Sequence, residues 1–317
     1  MQLNAVTRKS AFLAILLLVM MLVAVAVRYI VAPFDVELAN SEYRERVISI
    51  VMAMLLTLCC GMVEGKMFPR SGLSSSYCTL PIPLYGLLSC GVVVVSDTLA
   101  TAAASLCFAV ALYLLIRSLH YAGEKDSVFF ASVLLGTMVL LSPTTVVLLA
   151  IIPMAVFVLA LSLRQTLLMI IGYLLPLFVA SYVVWYGGSD FWTFGQSLIY
   201  ALTTPQMAEI ESFPYLSLVM LAVVVAILIW GTVYAFIRPD KIFLLARVRH
   251  SLYFFVWVTL LSLSMLFIPA CDLSIFAIVA VPLAILLSVA LNLLSNNHST
   301  MAYWLLLLLF IVHLFVA

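Results

Sequence analysis

The sequence predicts an all-α, polytopic integral membrane protein of about eleven transmembrane helices, and three observations lead to this fold class. Hydrophobic residues make up 67% of the 317 residues, charged residues make up 9%, and the mean hydropathy is +1.30. Apolar runs of about 18 or more residues recur along the chain, each long enough to cross a ~30 Å hydrocarbon core as a helix. Basic residues concentrate in alternate connections between these runs.

Helices are favoured over a membrane β-barrel because barrel strands alternate apolar and polar residues over about ten positions. Residues 11–27 and 221–229 show no such alternation. The first run follows Arg8 and Lys9 and contains one Ala-x-Ala triplet, residues 24–26, as a secretory signal would. It is long, continues past the triplet and is followed by further spans, so we interpret it as an uncleaved helix.

We predict one transmembrane domain over residues 1–317, with no soluble domain. The predicted helices cover residues 11–32, 47–65, 79–95, 98–118, 127–141, 145–162, 166–186, 216–237, 251–269, 274–294 and 301–316. The longest outer loops are residues 33–46 and 187–215, and the second has enough aromatic residues to lie along the membrane interface as a partly amphipathic segment.

The distribution of Lys and Arg sets the predicted orientation. With the N-terminus in the cytoplasm, eleven of the fourteen basic residues lie in cytoplasmic connections, and only Arg28, Arg44 and Arg46 lie outside. The positive-inside rule therefore predicts a protein of the inner (cytoplasmic) membrane with its C-terminus in the periplasm. The net charge of +1 indicates no nucleic-acid partner.

The segment before Arg164 is predicted to form a hairpin. A single helix over residues 127–162 would be about 54 Å long, nearly twice a bilayer core. Lys125 before it and Arg164 after it both favour the cytoplasm, which requires an even number of crossings. Pro143 cannot donate a backbone hydrogen bond and biases Ser142 away from the helical region, so we expect a tight turn there on the outer side.

No cofactor or metal site is predicted. The sequence has no phosphate-binding loop, dinucleotide fingerprint or paired-histidine zinc motif. Its six cysteines lack metal-ligand or redox spacing, and its four histidines are far apart along the chain. Glu64 lies at the inner end of the second predicted helix, where we expect an interfacial anchor or a cap. The absence of an acidic residue at mid-membrane depth disfavours a proton-coupled transporter.

The outer face carries most of the acidic residues and is the predicted site. We expect Asp35, Glu37 and Asp97 to converge at an outward-facing cavity, where a carboxylate acts as general base. An arginine beside them would hold a phosphate or pyrophosphate bidentately. The candidate substrate-binding residues are Arg28, Arg44, Arg46 and Asp190. The alternative is that the charges near helix ends are caps or anchors, and Ser96-Asp97 would cap the helix that follows.

Residues 97–185 resemble two groups of membrane proteins. The layout, SDTLATAAASLCFAVALYLLIRSLH followed by FFASVLLGTMVLLSPTT and SLRQTLLMIIGYLLPLFV, is similar to an uncharacterised family of Bacteroidota inner-membrane proteins. In that family a cytoplasmic arginine precedes a helix with a Gly-x-x-x-Pro pattern, matched here by Arg164, Gly172 and Pro176. This resemblance covers about a third of the chain and implies no established activity.

The same passage resembles multi-helix glycosyltransferases that use lipid-linked sugar donors. In those enzymes an acidic residue opens a helix, and the next hairpin precedes a basic cytoplasmic loop. The resemblance implies a catalytic acid in the first external loop, where Asp35 and its neighbour Glu37 stand. In those enzymes the first external loop is usually long and carries interfacial helices, whereas here it has only fourteen residues, 33–46.

These observations lead to three functional hypotheses. The first is a glycosyltransferase-like enzyme of envelope glycan assembly with a periplasm-facing site and a polyprenyl-phosphate-linked sugar as donor. The second is a non-catalytic subunit or scaffold of an envelope or secretion complex, with membrane proteins as partners. The third is a carrier for a lipid or small solute. All three imply contact with membrane lipids.

Overall fold

The computed structural model describes most of the chain. The described residues are 11–31, 40–73, 78–91, 98–120, 125–159, 161–203, 219, 222–230, 233, 246–265, 275–294 and 296–316. At several helix ends, among them residues 27–31 and 40–46, only the backbone is described. These residues form helices and no strand, which confirms the all-α class.

In the described part of the chain, bounds can be given for eleven α-helices and one 3₁₀ segment. They are α1 (Ala11–Val31), α2 (Asn40–Arg70), α3 (Pro81–Gly91), α4 (Thr98–His120), α5 (Lys125–Leu141), the 3₁₀ segment (Pro143–Ala150), α6 (Ile151–Val158), α7 (Leu163–Tyr186), α8 (Thr193–Thr203), α9 (Ala246–Ser264), α10 (Phe276–Leu293) and α11 (Asn296–Val316). Residues 222–230 are also helical.

Four helical stretches of the described chain are long and apolar enough to cross a membrane. They are Val47–Arg70, Leu99–Ser118, Leu163–Tyr186 and Phe276–Leu293. Shorter apolar helices add Phe12–Ala26, Asp126–Leu141, Pro143–Val158, His250–Ser264 and Asn297–Val312. These lengths and compositions indicate association with a membrane.

The second helix is longer at both ends than we predicted. Residues 40–46 and 66–70 belong to α2, although hydropathy placed them in loops. The segment that hydropathy identifies ends where the apolar residues end. Glu, Arg and Lys are nevertheless good helix formers, so the helix continues through them. Arg44 and Arg46 therefore lie in the first turns of α2 and not in an external loop.

Helix α10 is the centre of the bundle. Nearly all of its side chains are buried, and it packs against α3, α4, α9 and α11. A helix that is apolar around its whole circumference needs such surroundings. By contrast, α2 and α7 bury one side and expose large apolar side chains on the other, such as Leu167 and Phe178. They lie at the periphery, where lipid would cover them.

The predicted break at Ser142 is confirmed, but the helix that follows it is composite. Ser142 is extended (φ −144°, ψ 105°), and the hydroxyl of Thr145 donates to its carbonyl at 2.7 Å. Eight residues of 3₁₀ helix and eight of α-helix then follow, where we predicted one α-helix over 145–162. Because a 3₁₀ helix rises about 2.0 Å per residue, sixteen residues reach about 28 Å, close to a bilayer core.

Helix α5 packs against α4 and α7 more extensively than against the 3₁₀ segment that follows it. Two glycines bring α5 and α7 together. A Cβ at Gly136 would meet the carbonyl oxygen of Tyr173, and a Cβ at Gly172 would meet the hydroxyl of Ser132 and the carbonyl oxygen of Phe129. Small residues allow such close approach of membrane helices. The Gly-x-x-x-Pro pattern is thus a packing surface, since Pro176 also contacts the Gly136 position.

The start of α7 is fixed by a capping box. The backbone N–H of Gln165 donates to the hydroxyl of Ser162, and the backbone N–H of Ser162 donates to the side chain of Gln165 at 2.9 Å. This pair satisfies two backbone donors that a helix start leaves free. Arg164 stands in the first turn of α7 and is exposed.

Candidate functional site

The predicted outer site is described only in part. Asp35, Glu37 and Asp97 lie outside the described residues. Arg28 lies near the end of α1, and the backbones of Arg44 and Arg46 lie in the first turns of α2, with no side chain described. Asp190 is fully described and exposed. The convergence of these seven residues therefore stays a prediction.

Contacts between α2 and α4 give the distance along α2 between the level of Thr98, which follows Asp97, and Arg46. The thiol of Cys60 lies 3.6 Å from the carbonyl oxygen of Ser105, and the guanidinium of Arg70 lies 5.2 Å from the ring centre of Tyr113. The two helices are therefore parallel, and Thr98 at the start of α4 is level with residues 53–55 of α2. Measured along α2, Arg46 lies roughly 10–14 Å beyond that level.

Asp190 stands at the junction of α7 and α8. Gly187 ends α7, and Gly188 has a φ of +93°, a conformation that glycine adopts without steric cost. The carbonyl oxygen of Asp190 accepts the backbone N–H of Thr193 at 3.0 Å, which begins α8. The carboxylate itself is exposed.

Aromatic side chains surround this junction. Phe178 and Phe191 have ring centres 5.7 Å apart, and Tyr182 and Trp185 have ring centres 5.6 Å apart. Trp192 packs edge-on against Phe191. Helix α8 buries none of its residues and packs against the end of α7 and the 3₁₀ segment. An exposed amphipathic helix beside aromatic residues is typical of a membrane interface.

A buried polar cluster that the sequence did not predict lies between α2, α3 and α4. Glu64 and Cys60 of α2, Tyr85 of α3 and Ser105 of α4 are all fully buried. The thiol of Cys60 lies 4.0 Å from Oε1 of Glu64, and the hydroxyl of Tyr85 donates to Oγ of Ser105 at 3.2 Å. Oγ of Ser105 in turn donates to the carbonyl oxygen of Ala102 at 2.8 Å.

The prediction that Glu64 anchors at the membrane interface is wrong, because its side chain points into the bundle. Glu64 is six residues, about 9 Å, from Arg70 at the end of α2. Gly61 and Gly65 let α1 and α3 approach this part of α2: a Cβ at Gly61 would lie 2.7 Å from Leu18, and one at Gly65 would lie 2.7 Å from Ile82.

Two features of the sequence indicate the cluster in retrospect. Cys60 and Glu64 are four residues apart and so share one helix face. Tyr85 and Ser105 are polar groups inside neighbouring apolar helices. Hydropathy predicts that Glu64 lies near the end of a helix, but it does not predict whether the face that carries Glu64 turns towards lipid or towards the other helices.

An apolar groove lies between the 3₁₀ segment, α6 and α7. Its volume is about 280 Å³, and it is lined by Leu149, Ile152, Pro153, Ile170, Tyr173 and Leu174. The groove offers no polar surface to a ligand, so it suits an apolar chain and not a headgroup.

Comparison with protein-family models, with curated proteins and with solved structures finds no match for the chain. The two resemblances noted in the sequence are therefore untested.

Proposed function

We propose that this chain is an inner-membrane protein of eleven crossings and a glycosyltransferase-like enzyme of envelope glycan assembly, with its site facing the periplasm. The observation that carries the proposal is the α7–α8 junction. There, an exposed carboxylate, Asp190, begins an exposed amphipathic helix among aromatic side chains. A lipid-linked sugar presents its headgroup at this depth, because its tail lies in the bilayer.

The topology of α7 supports the orientation. Its 24 residues are about 36 Å long, so Arg164 at one end and Asp190 at the other stand on opposite sides of a ~30 Å core. Helix α8 packs against the 3₁₀ segment that follows the Ser142 turn. With the N-terminus in the cytoplasm and the C-terminus in the periplasm, the Ser142 turn and Asp190 are both periplasmic.

The proposed reaction needs one base and one phosphate-binding cation. A carboxylate, with Asp35, Glu37 and Asp97 as candidates, accepts the proton of the acceptor hydroxyl as the new glycosidic bond forms. The bond between the sugar and the phosphate breaks, and polyprenyl phosphate leaves with the electron pair. Arg28, Arg44 or Arg46 holds the leaving phosphate bidentately, and Asp190 binds sugar hydroxyls.

The test is sugar transfer in membrane vesicles from a radiolabelled polyprenyl-phosphate sugar. Asp35→Asn and Asp97→Asn should abolish transfer, and Asp190→Asn should lower it, with protein level and thermal stability unchanged. Asp126→Asn is the matched control, because Asp126 is an exposed acid in the first turn of α5, which the proposed topology puts on the cytoplasmic side. Full transfer by all three outer variants would contradict the proposal.

The same variants separate the other two hypotheses. A scaffold tolerates every outer acid change but loses a co-purifying membrane protein when the exposed face of α7 is altered. A carrier moves its solute or lipid across liposomes that contain this protein alone, with no change in the solute's chemistry.

A further inference from the structure

Glu64 takes no part in the proposed transfer, since it lies near the opposite end of α2 from Arg44 and Arg46. Its side chain is fully buried. Oε1 has the Cys60 thiol at 4.0 Å, whereas Oε2 has no hydrogen-bond partner in the described part of the chain. Buried polar atoms in native proteins are nearly always hydrogen-bonded, so a buried carboxyl oxygen without a partner requires an explanation.

No fixed positive charge faces Glu64 from the described side chains of its own helix. Lys66 is exposed on another face of α2. Arg70 is about 1.7 turns further along, over the ring of Tyr113.

The described side chains of the neighbouring helices do not supply a charge either. Helices α3 and α10 contain no charged residue, and α1 contains none between Ala11 and Val27. On α4, Arg117 lies eight to ten residues beyond the level of Glu64, roughly 12–15 Å away. Arg28 of α1 is ten residues beyond Leu18, which packs at Gly61, and so is about 15 Å along α1 from that point.

An ionised carboxylate inside a protein is costly unless a cation or several donors compensate it. The described neighbours of Glu64 provide one weak donor, the thiol of Cys60. A proton is the compensating charge that needs no further space. The thiol of Cys60 and the hydroxyls of Ser105 and Tyr85 supply three more exchangeable hydrogens in the same cluster.

We propose that Glu64 is a membrane-embedded proton-binding site, which carries a proton on its carboxyl group within the α2–α3–α4 cluster and exchanges that proton with water. A purely structural acid would keep one hydrogen-bonding arrangement permanently. A proton-binding acid exchanges its hydrogen with water. This inference does not depend on the glycosyltransferase proposal.

Infrared difference spectroscopy of the purified protein in liposomes tests the inference. A protonated carboxyl group has a carbonyl stretch well separated from the amide bands, and deuterium on its oxygen shifts that band to lower frequency. We expect a band that shifts in heavy water, that disappears in Glu64→Gln and that moves in Glu64→Asp. Asp190→Asn, which alters an exposed acid, should leave it unchanged.

Each outcome bears on the proposal. If Glu64→Gln removes no band, the carboxyl is ionised and the proposal is wrong. If the band is present but does not shift during prolonged incubation in heavy water, Glu64 is a structural acid without exchange, and the proposal is equally wrong. Should Glu64→Gln fail to elute as a folded protein, the frequency change in Glu64→Asp decides the assignment.

Discussion

Replacement of Gly172 by alanine tests the crossing of α5 and α7. An added Cβ would meet the hydroxyl of Ser132 and would lie 2.8 Å from the carbonyl oxygen of Phe129. The second obstacle is backbone, which cannot rotate away as a side chain does. The two helices must therefore separate locally for an alanine to fit.

The magnitude follows from two opposing terms. Alanine improves helix propensity by about 1 kcal/mol relative to glycine. Overpacking of a filled interface costs about 1–3 kcal/mol, and contact with backbone favours the upper part of that range. We therefore expect Gly172→Ala to lower the free energy of unfolding by about 1–2 kcal/mol.

Gly195→Ala is the matched control, because a Cβ on this partly exposed glycine of α8 would meet nothing within 4 Å. It should leave stability unchanged or raise it by up to ~1 kcal/mol. The assay is equilibrium unfolding in mixed detergent micelles, followed by tryptophan fluorescence. Equal effects of the two substitutions, or a more stable Gly172→Ala variant, would refute the close crossing. Gly136→Ala acts on the same crossing, so the double variant should lose less than the two single losses together.

Two further predictions concern hydroxyl groups. Ser162→Ala removes the cap of α7 and should lower the free energy of unfolding by about 1 kcal/mol, whereas Ser197→Ala on exposed α8 should have little effect in the same titration. Tyr85→Phe removes the hydroxyl that donates to Ser105 and should lower the melting temperature. The expected loss corresponds to about 1 kcal/mol in the free energy of unfolding. Tyr303→Phe, whose hydroxyl is buried without a partner in the described residues, should leave the melting temperature unchanged or raise it; the reverse ranking would contradict these hydrogen-bond assignments.

Features with a strong local cause could be predicted from sequence. Pro143 lacks a backbone donor, and the chain breaks at Ser142 as expected. The start of the fourth helix at residue 98 also agrees. The even number of crossings before Arg164, which follows from charge counting, stays a prediction, since Pro143–Val158 is one of the shorter apolar helices.

Features set by tertiary packing could not be predicted. Periodicity does not say that α5 packs against α7 more than against the segment between them, since this choice depends on Gly136 meeting Tyr173. Nor does periodicity say that the face of Glu64 turns inward, because α2 carries apolar residues around its whole circumference. The extension of α2 through Arg44 was missed because hydropathy measures solvent preference and not helix propensity.

Site-directed labelling tests the central claim that the α7–α8 junction faces the periplasm, opposite to Arg164. The six native cysteines are first replaced by alanine. Ser142→Cys, Arg164→Cys and Ser197→Cys are then exposed separately, in intact cells, to a maleimide that reaches the periplasm but does not cross the inner membrane. We predict labelling at 142 and 197, and labelling at 164 only after the inner membrane is opened. Labelling of 164 from the same side as 142 or 197 would contradict the account.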